Sequence, residues 1–276
     1  MPADLPHAAD DLAPAAPDRR QRVQAAETAM AVLKLLAHLG GRASLTVIAM
    51  QAGESPAKVH RYLMSLMAQG LVEQDGTTQQ YFLAREAMFI GLAAMRQADP
   101  IRVAEPALLR LRESLAVTCF IAVMGNKGPT IVRFEEPGLP VSVNARVGSV
   151  MSVMWSATGR AFLALLDEPQ IQGMALSELS AAPAELRAQL DPSDPVGVLR
   201  REVLAAGCAS VVDTHLRGIS AVSCWVRDWR GAPQVVLTAL GATGGFDASV
   251  SGPVAQAVRQ ACAEASASLG YRPAQG

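Results

Sequence analysis

The chain contains few aromatic side chains. Phe, Trp and Tyr make up 4% of its 276 residues, although 50% of the residues are hydrophobic. A buried core must therefore be filled by Leu, Val, Ala and Met rather than by rings. No apolar run approaches the roughly 20 residues of a membrane span, and the N-terminus lacks the charged-then-apolar plan of a secretory signal. We therefore expect a cytoplasmic protein that does not contact a membrane.

Metal-binding and disulfide patterns are also missing from the sequence. The four cysteines include no CxxC pair, which favours reduced thiols in a cytoplasmic protein; they are Cys119, Cys208, Cys224 and Cys262. The four histidines are scattered, and none forms a metal-ligand pair with a cysteine or a carboxylate. The sequence therefore predicts neither a metal site nor a cofactor.

The net charge of −1 conceals a local excess of positive charge. Residues 1–18 carry four aspartates and no Lys or Arg, whereas residues 19–62 carry seven basic and two acidic residues, a net charge of +5. Ala, Pro and Asp dominate residues 1–20, so we expect a disordered tail that ends in a basic arm. A local positive charge of this size favours a segment that binds nucleic acid.

The positively charged segment has the pattern of a winged helix-turn-helix domain, predicted over residues 21–83. Apolar residues three and four apart predict the first of three helices. Ser44 and Ser55 are suitable N-caps for the other two, and Pro56 occupies the first position of the third helix, where a missing N–H is tolerated. Two short β-prone segments then flank a polar turn. In such domains the third helix enters a major groove and the hairpin lies along the DNA backbone.

The remaining chain predicts a linker and a second domain. Residues 84–98 form a helix with apolar residues nearly all round it, so it needs cover on every side and a partner chain could supply part of it. Residues 99–276 follow the order α-β-β-β, helices, β-β-β-α, with a third strand at 141–148 and Pro-rich polar stretches before a helix near 198–206. The predicted fold class is α+β, with helices around a mostly antiparallel sheet.

Several segments carry a more specific signal than the order of elements does. Val59-His60-Arg61 lies on the third predicted helix, and "SATGRAFLALL" begins at Ser156. With "GPTIVRF", "VNARVGS" and "VLAAGCA", these segments resemble the IclR-type (isocitrate lyase regulator) family of bacterial transcription factors over about residues 21–270. The resemblance implies an operator-binding domain, a dimerising linker helix and a C-terminal effector domain with a GAF-like fold. Members are commonly homodimers or tetramers that repress or activate operons for small-molecule catabolism.

The candidate DNA-binding residues lie on and around the third helix. Lys58 and Arg61 are three residues apart, so they share one helical face, and Arg can bind guanine through two hydrogen bonds. Serine hydroxyls and helix N-terminal amides suit phosphate oxygens, and a basic arm can enter a minor groove. For His60 and the hairpin threonines, packing or contact with the DNA backbone alone is the alternative. The predicted contacts to double-stranded operator DNA are Arg19, Arg20, Arg22, Ser44, Ser55, Lys58, His60, Arg61, Thr77 and Thr78.

The resemblance also implies an effector pocket on the concave side of the C-terminal sheet. Backbone amides at the start of the SATGRA helix rim this pocket, and a helix start is a natural carboxylate site. Positions that are polar in relatives binding small keto acids are more apolar here, which favours a larger or aromatic carboxylic acid. The predicted effector-binding residues are Phe120, Met151, Met154, Trp155, Ala157, Thr158, Asp213, Ala221, Thr238 and Leu240. For Phe120 and the two methionines, ordinary core packing is the alternative.

An enzyme with a DNA-binding appendage is the alternative function. No GxGxxG, Walker, HExxH or GxSxG pattern occurs, and Gly241–Gly245 lacks the Lys-Ser/Thr pair of a phosphate-binding loop. His215 lies near Asp213, which suggests acid–base chemistry, but an ordinary loop histidine is the simpler interpretation. A dimerisation scaffold does not account for the positive segment. We therefore predict an effector-controlled transcriptional regulator and not an enzyme.

Overall fold

A computed structural model describes residues 23–138 and 145–273 of the chain. The chain divides after Gln97 into two compact units, and each unit has its own buried core. The elements described in the first unit are α1 (Gln24–His38), β1 (Arg42–Ala43), α2 (Leu45–Ala52), α3 (Pro56–Ala68), β2 (Val72–Gln74), β3 (Tyr81–Leu83) and α4 (Arg85–Gln97). This is the predicted order of three helices, a hairpin and a further helix.

Capping interactions fix the ends of α2 and α3. The hydroxyls of Ser44 and Ser55 each accept a hydrogen bond of 3.4 Å from the amide three residues later. Pro56 occupies the first position of α3, where no N–H is needed. Gly53 ends α2 with a φ of +64°, a conformation that glycine adopts at little steric cost. The predicted helix starts are confirmed.

The core of the first unit joins its helices to a small sheet. The three strands pair in the antiparallel order β1-β3-β2. Side chains from α1, α2 and α3 meet the ring of Tyr81 on β3, and the most deeply buried of them are Leu36, Ile48, Val59 and Leu63. Because the apolar side of α3 is used for this packing, its opposite side is left to solvent.

Helix α4 has no buried residue along its length of 13 residues. Five large apolar side chains on it are between 38% and 61% exposed, namely Met88, Phe89, Ile90, Leu92 and Met95. An apolar surface of this size marks an interaction site in many proteins. That a partner chain covers this helix stays a prediction.

The second unit contains a five-stranded sheet and six helices in its described residues. They are α5 (Pro100–Leu115), β4 (Thr118–Gly125), β5 (Gly128–Glu135), α6 (Ala157–Leu165), α7 (Pro169–Ala181), α8 (Ala184–Arg187), α9 (Pro195–Ala206), β6 (Ala209–Val212), β7 (Ile219–Arg227), β8 (Pro233–Ala242) and α10 (Pro253–Ser268). The strand order is β5-β4-β8-β7-β6, and every neighbouring pair is antiparallel. The predicted α+β class is confirmed. Among the described residues, we find no helix with the length and apolar character required to traverse a bilayer.

Helices cover the two faces of this sheet. Side chains alternate between the faces along each strand. Helices α5 and α10 pack on the face that carries Cys119, Val222 and Cys224, whereas α6 packs on the face that carries Ser223 and Thr238, with α9 next to it. A cavity, the candidate effector site, forms on the α6 face.

The structure differs from two predictions for the second unit. The stretch before α9 was predicted as Pro-rich polar connection, but it contains α7, because Pro169 stands at the first helical position, where proline starts a helix rather than breaking it. The third strand was predicted at 141–148. Residues 141–144 lie outside the described residues, and 145–148 form no strand. The chain there turns back so that Val150 makes a single bridge with Thr130 of β5.

Candidate DNA-binding surface and effector cavity

The outer face of α3 carries one cation in an ion pair and one without a partner. Lys58 Nζ donates to Glu54 Oε1 at 2.7 Å, a pair four residues apart. This hydrogen bond raises the pKa of Lys58 above its usual value. Arg61 is exposed, and its guanidinium has no hydrogen bond or ion pair with any residue that the structure describes. Arg61 is therefore free to bind an external anion or base edge.

The neighbours of Arg61 divide between solvent and core. His60 is exposed as well. Tyr62 is half-buried and packs against the core of the first unit, so its ring supports the helix instead of facing outward. Helix α3 thus presents His60 and Arg61 outward together with the paired Lys58.

The β2–β3 turn is held closed by one carboxylate. Asp75 Oδ1 accepts the amides of Thr77 and Thr78 at 2.9 Å each, while Asp75 Oδ2 accepts Arg42 Nη1 at 3.0 Å. These bonds, the one from Thr78 foremost, lower the pKa of Asp75 to about 2. Arg42 also stacks on the Phe82 ring, 4.8 Å from its centre. The side chains of Thr77 and Thr78 remain exposed at the tip.

The remaining predicted DNA contacts are two serines and the basic arm. Ser44 and Ser55 use their hydroxyl lone pairs as helix caps, and their O–H groups remain available as donors. The predicted contacts Arg19, Arg20 and Arg22 lie outside the described residues.

Strand register builds the floor of the candidate effector cavity. Phe120 of β4 pairs with Thr238 of β8, and Leu240 of β8 pairs with Ala221 of β7. Residues two apart on one strand face the same side, so these two rungs present one continuous surface. Val211 of β6 extends the second rung. The cavity above this floor is narrow in this structure, with a volume of about 20 Å³.

The start of α6 forms the wall opposite the floor. The Ser156 hydroxyl both donates and accepts: it donates to the Ser152 carbonyl at 2.5 Å and accepts the Gly159 amide at 2.9 Å. The amides of Ala157 and Thr158 precede the first intrahelical bonds, and neither finds an acceptor in the described part of the chain. Both residues line the cavity, so the N-terminal end of α6, with its partial positive charge, lies beside it.

Gly159 allows α6 to approach the preceding turn closely. A Cβ at this position would lie 2.0 Å from the Ser152 carbonyl oxygen and 2.5 Å from Val153 Cα. Any other residue would therefore push the helix start away from the turn. This contact gives a physical reason for the glycine in the "SATGRA" segment.

A chain of three buried hydroxyls joins the wall to the floor. Thr158 Oγ1 lies 2.8 Å from Thr238 Oγ1, which lies 2.8 Å from Ser223 Oγ. All three side chains are at most 1% exposed. Thr158 and Thr238 line the cavity, and Ser223 lies on the neighbouring strand, so the polar groups at the cavity floor already have partners.

The loop between β6 and β7 closes one side of the cavity, as the resemblance implied, but through residues other than the predicted Asp213. His215 and Leu216 of the loop line the cavity, together with Ile219 at the start of β7. His215 also borders an outer polar cleft, and partial burial lowers its pKa. Thr214 fastens the loop by donating to the Trp155 carbonyl at 2.6 Å. His215 and Leu216 come from a loop without periodicity, so no sequence pattern indicated that they line a cavity.

Three predicted effector residues lie away from the cavity lining. Met154 and Trp155 point into a separate core cluster that packs against α7, because the turn before α6 directs consecutive side chains away from Met151. Asp213 borders the outer cleft, where its Oδ1 accepts the Gly218 amide and the Thr243 hydroxyl at 2.7 Å each. The seven that do meet there are Phe120, Met151, Ala157, Thr158, Ala221, Thr238 and Leu240. In the described residues no cluster suits a metal ion.

Comparison with known protein families covers both units. The family model of the IclR helix-turn-helix domain matches residues 25–76. The model of the bacterial transcriptional regulator IclR C-terminal domain matches residues 92–267, more than half of the chain. The chain belongs to the IclR family of bacterial transcriptional regulators. Because this family consists of DNA-binding regulators, the assignment argues against the enzyme alternative.

Individual relatives of this IclR-family chain agree with the assignment. The crystal structure of Pseudomonas aeruginosa HmgR has a TM-score of 0.83 and 36% sequence identity, covering 90% of this chain and 99% of that chain. The transcriptional repressor IclR of Escherichia coli (strain K12) is 26% identical over 152 residues, which are 54% of this chain and 56% of that protein. The regulator BhcR of Paracoccus denitrificans (strain Pd 1222) is 29% identical over 142 residues, 51% and 50% of the two chains. The chain thus spans about half the length of these curated relatives.

Proposed function

We propose that the chain is a homodimeric or tetrameric transcriptional repressor that binds operator DNA through α3 and responds to a small carboxylic acid. The observation that carries the DNA half is the free, exposed guanidinium of Arg61 on the third helix of an IclR helix-turn-helix domain. Two further features support it: helix starts capped at Ser44 and Ser55, and an ordered hairpin turn with exposed threonines. The name of the Escherichia coli relative supports repression.

The effector half is supported by the composition of the cavity. The amides of Ala157 and Thr158 begin α6 beside the cavity, and the positive end of a helix suits a carboxylate. The rest of the lining is mainly apolar, from Phe120, Leu240 and their neighbours, which suits an apolar body attached to that carboxylate. We infer a monocarboxylic acid with an apolar, aromatic or branched portion. The hydroxyls of Thr158 and Thr238 are engaged with each other, so they do not favour a strongly polar ligand.

Binding of the purified full chain to labelled upstream fragments of its own gene region tests the DNA half. Competition with unrelated duplex at fixed salt separates specific from non-specific binding. We expect at least one fragment to bind specifically, and a protein that ignores all fragments would contradict the DNA half. Adding benzoate, phenylacetate and a branched aliphatic acid, each against its neutral amide, tests the effector half, because only the acids should change fragment binding.

A further inference from the structure

We propose that Glu178 of α7 is a positioning residue for the effector cavity. Its carboxylate holds the turn before α6 in the shape that places the start of this helix, with Ala157 and Thr158, beside the cavity. Glu178 does not itself line the cavity. The inference rests on the proposed effector function, since it concerns the same site.

The carboxylate of Glu178 accepts three hydrogen bonds. Oε2 accepts the Ser152 hydroxyl at 2.5 Å and the Met154 amide at 2.9 Å, and Oε1 accepts the Val153 amide at 2.9 Å. Three donors from three consecutive residues thus converge on one side chain that lies 24 to 26 positions further along the chain. Hydrogen bonds to an ionised acceptor are roughly twice as strong as neutral ones. The turn is therefore tied firmly to α7.

A short series of bonds connects Glu178 to the start of α6. Ser152 Oγ, which donates to Glu178, also accepts the Trp155 amide at 2.8 Å. The Ser152 carbonyl accepts the Ser156 hydroxyl at 2.5 Å, and Ser156 caps α6. The last link reaches Ser156, the residue before Ala157 and Thr158, so the direction of their amides depends on the position of the turn.

Other contacts to this turn come from around the cavity. Arg160 of α6 donates Nε to the Met154 carbonyl at 2.8 Å, and burial lowers the pKa of Arg160 to about 10. Thr214 of the cavity loop donates to the Trp155 carbonyl at 2.6 Å. These residues hold carbonyls of the turn, whereas Glu178 holds its amides. Without Glu178 the Val153 and Met154 amides have no other acceptor among the described residues, so the turn should open.

The test compares Glu178→Gln with Glu168→Gln in the full chain. Gln keeps the size of Glu178 but loses the charge, and its amide group faces the incoming donors of the turn. Glu168 flanks the start of the same helix, is exposed, and makes no side-chain capping bond. The control therefore removes the same charge from the same helix without touching the turn. Ser152→Ala, which removes one of the three donors, gives a milder second variant if Glu178→Gln fails to fold.

Two measurements distinguish positioning from general stability. Without ligand, amide hydrogen exchange should accelerate about tenfold or more for residues 152–159 in Glu178→Gln, with α5 and α10 unchanged. With benzoate as the probe, calorimetry should show a dissociation constant about tenfold or more above that of Glu168→Gln. Ser152→Ala should also raise the exchange rate at 152–159 and the dissociation constant for benzoate, each by a smaller factor.

Each outcome bears on a separate claim. Unchanged exchange at 152–159, or acceleration spread evenly over the whole second unit, overturns the positioning role. Accelerated local exchange with an unchanged benzoate constant also overturns it, because the turn would then not set the site. If the unmodified chain binds neither benzoate nor the other acids, the effector proposal fails, and the exchange data alone decide whether Glu178 holds the turn.

Discussion

At the scale of single residues, the ion pair on α3 sets how strongly Lys58 can attract DNA. Its ammonium already lies 2.7 Å from Glu54, so a phosphate must compete with that carboxylate. Glu54→Gln should free Lys58, tighten non-specific DNA binding and steepen the slope of log K against log salt by about 0.9. Fluorescence anisotropy over a range of salt concentrations measures the slope. Glu73→Gln removes one charge from the same unit without touching Lys58, and an equal change in slope there would mean that only net charge matters.

Arg61 should contribute to specific rather than general binding. Its guanidinium is exposed and unpaired among the described residues, which suits recognition of a guanine edge. Arg61→Ala should weaken binding to the specific fragment by about 1–3 kcal/mol and reduce discrimination against unrelated duplex. Lys34→Ala, an exposed cation on α1, is the matched control. Equal losses for both variants, or an unchanged specific affinity for Arg61→Ala, would contradict a base-reading role.

The buried hydroxyl chain makes a separate prediction about stability. Thr238 is the middle member and contacts both Thr158 and Ser223 at 2.8 Å. Thr238→Val keeps the shape but leaves two buried hydroxyls without a partner, so the free energy of unfolding should fall by about 1–3 kcal/mol. Urea denaturation of the variant and of the unmodified chain measures this difference in the free energy of unfolding. Adding Ser223→Ala should recover part of the loss, since one orphaned hydroxyl is then removed; a purely additive double variant would show that the chain is not coupled.

At the scale of elements, the β2–β3 turn should respond to acid. Hydrogen bonds from Thr78, Arg42 and Thr77 lower the pKa of Asp75 from its ordinary value of 3.8 to about 2. A depressed pKa means that the carboxylate stabilises the folded turn above pH 4 and loses this effect as the pH falls towards 2. NMR titration of the Asp75 carboxyl should give a midpoint near 2. Arg42→Ala should raise the midpoint only in part, because the two backbone amides remain, and a full return to 3.8 would assign the whole effect to Arg42.

Sequence reasoning located the elements whose signals are local. Ser55 and Pro56 indicate the start of α3 from adjacent residues, and the chemistry of a cap does not depend on distant partners. Helix α7 was missed because a proline such as Pro169 can either break a helix or start one. Only the packing of the residues that follow it decides between the two.

Local sequence signals do not predict all of the residues that line the candidate effector cavity. The prediction placed residues of β4, β7 and β8 in one site through the family resemblance, and strand register does bring Phe120, Thr238 and Ala221 around one cavity. The neighbouring methionines 151 and 154 could not be told apart, since the turn that separates their directions is shaped by Glu178 on another helix. A partnership across some 25 residues leaves no periodic trace in the sequence.

At the scale of the whole molecule, helix α4 determines the prediction for assembly. None of its residues is buried, and Ile90 is 61% exposed, so the helix lacks the cover that an apolar surface requires. A second copy of the chain, packed through the same helix, would provide it. The unmodified chain should therefore sediment as a dimer or tetramer, and Ile90→Glu should sediment as a smaller species, because a carboxylate placed in an apolar contact has no partner.

The same variant connects assembly to DNA binding. Two recognition helices on one dimer bind paired half-sites about one helical turn apart, and the second contact benefits from a high effective concentration. Ile90→Glu should therefore lose roughly 100-fold or more in operator affinity although α3 is untouched. Gln97→Glu adds the same charge at the exposed end of α4 and should leave both sedimentation and affinity unchanged. A smaller species that keeps full operator affinity would show that one α3 is sufficient, and that α4 serves assembly without serving recognition.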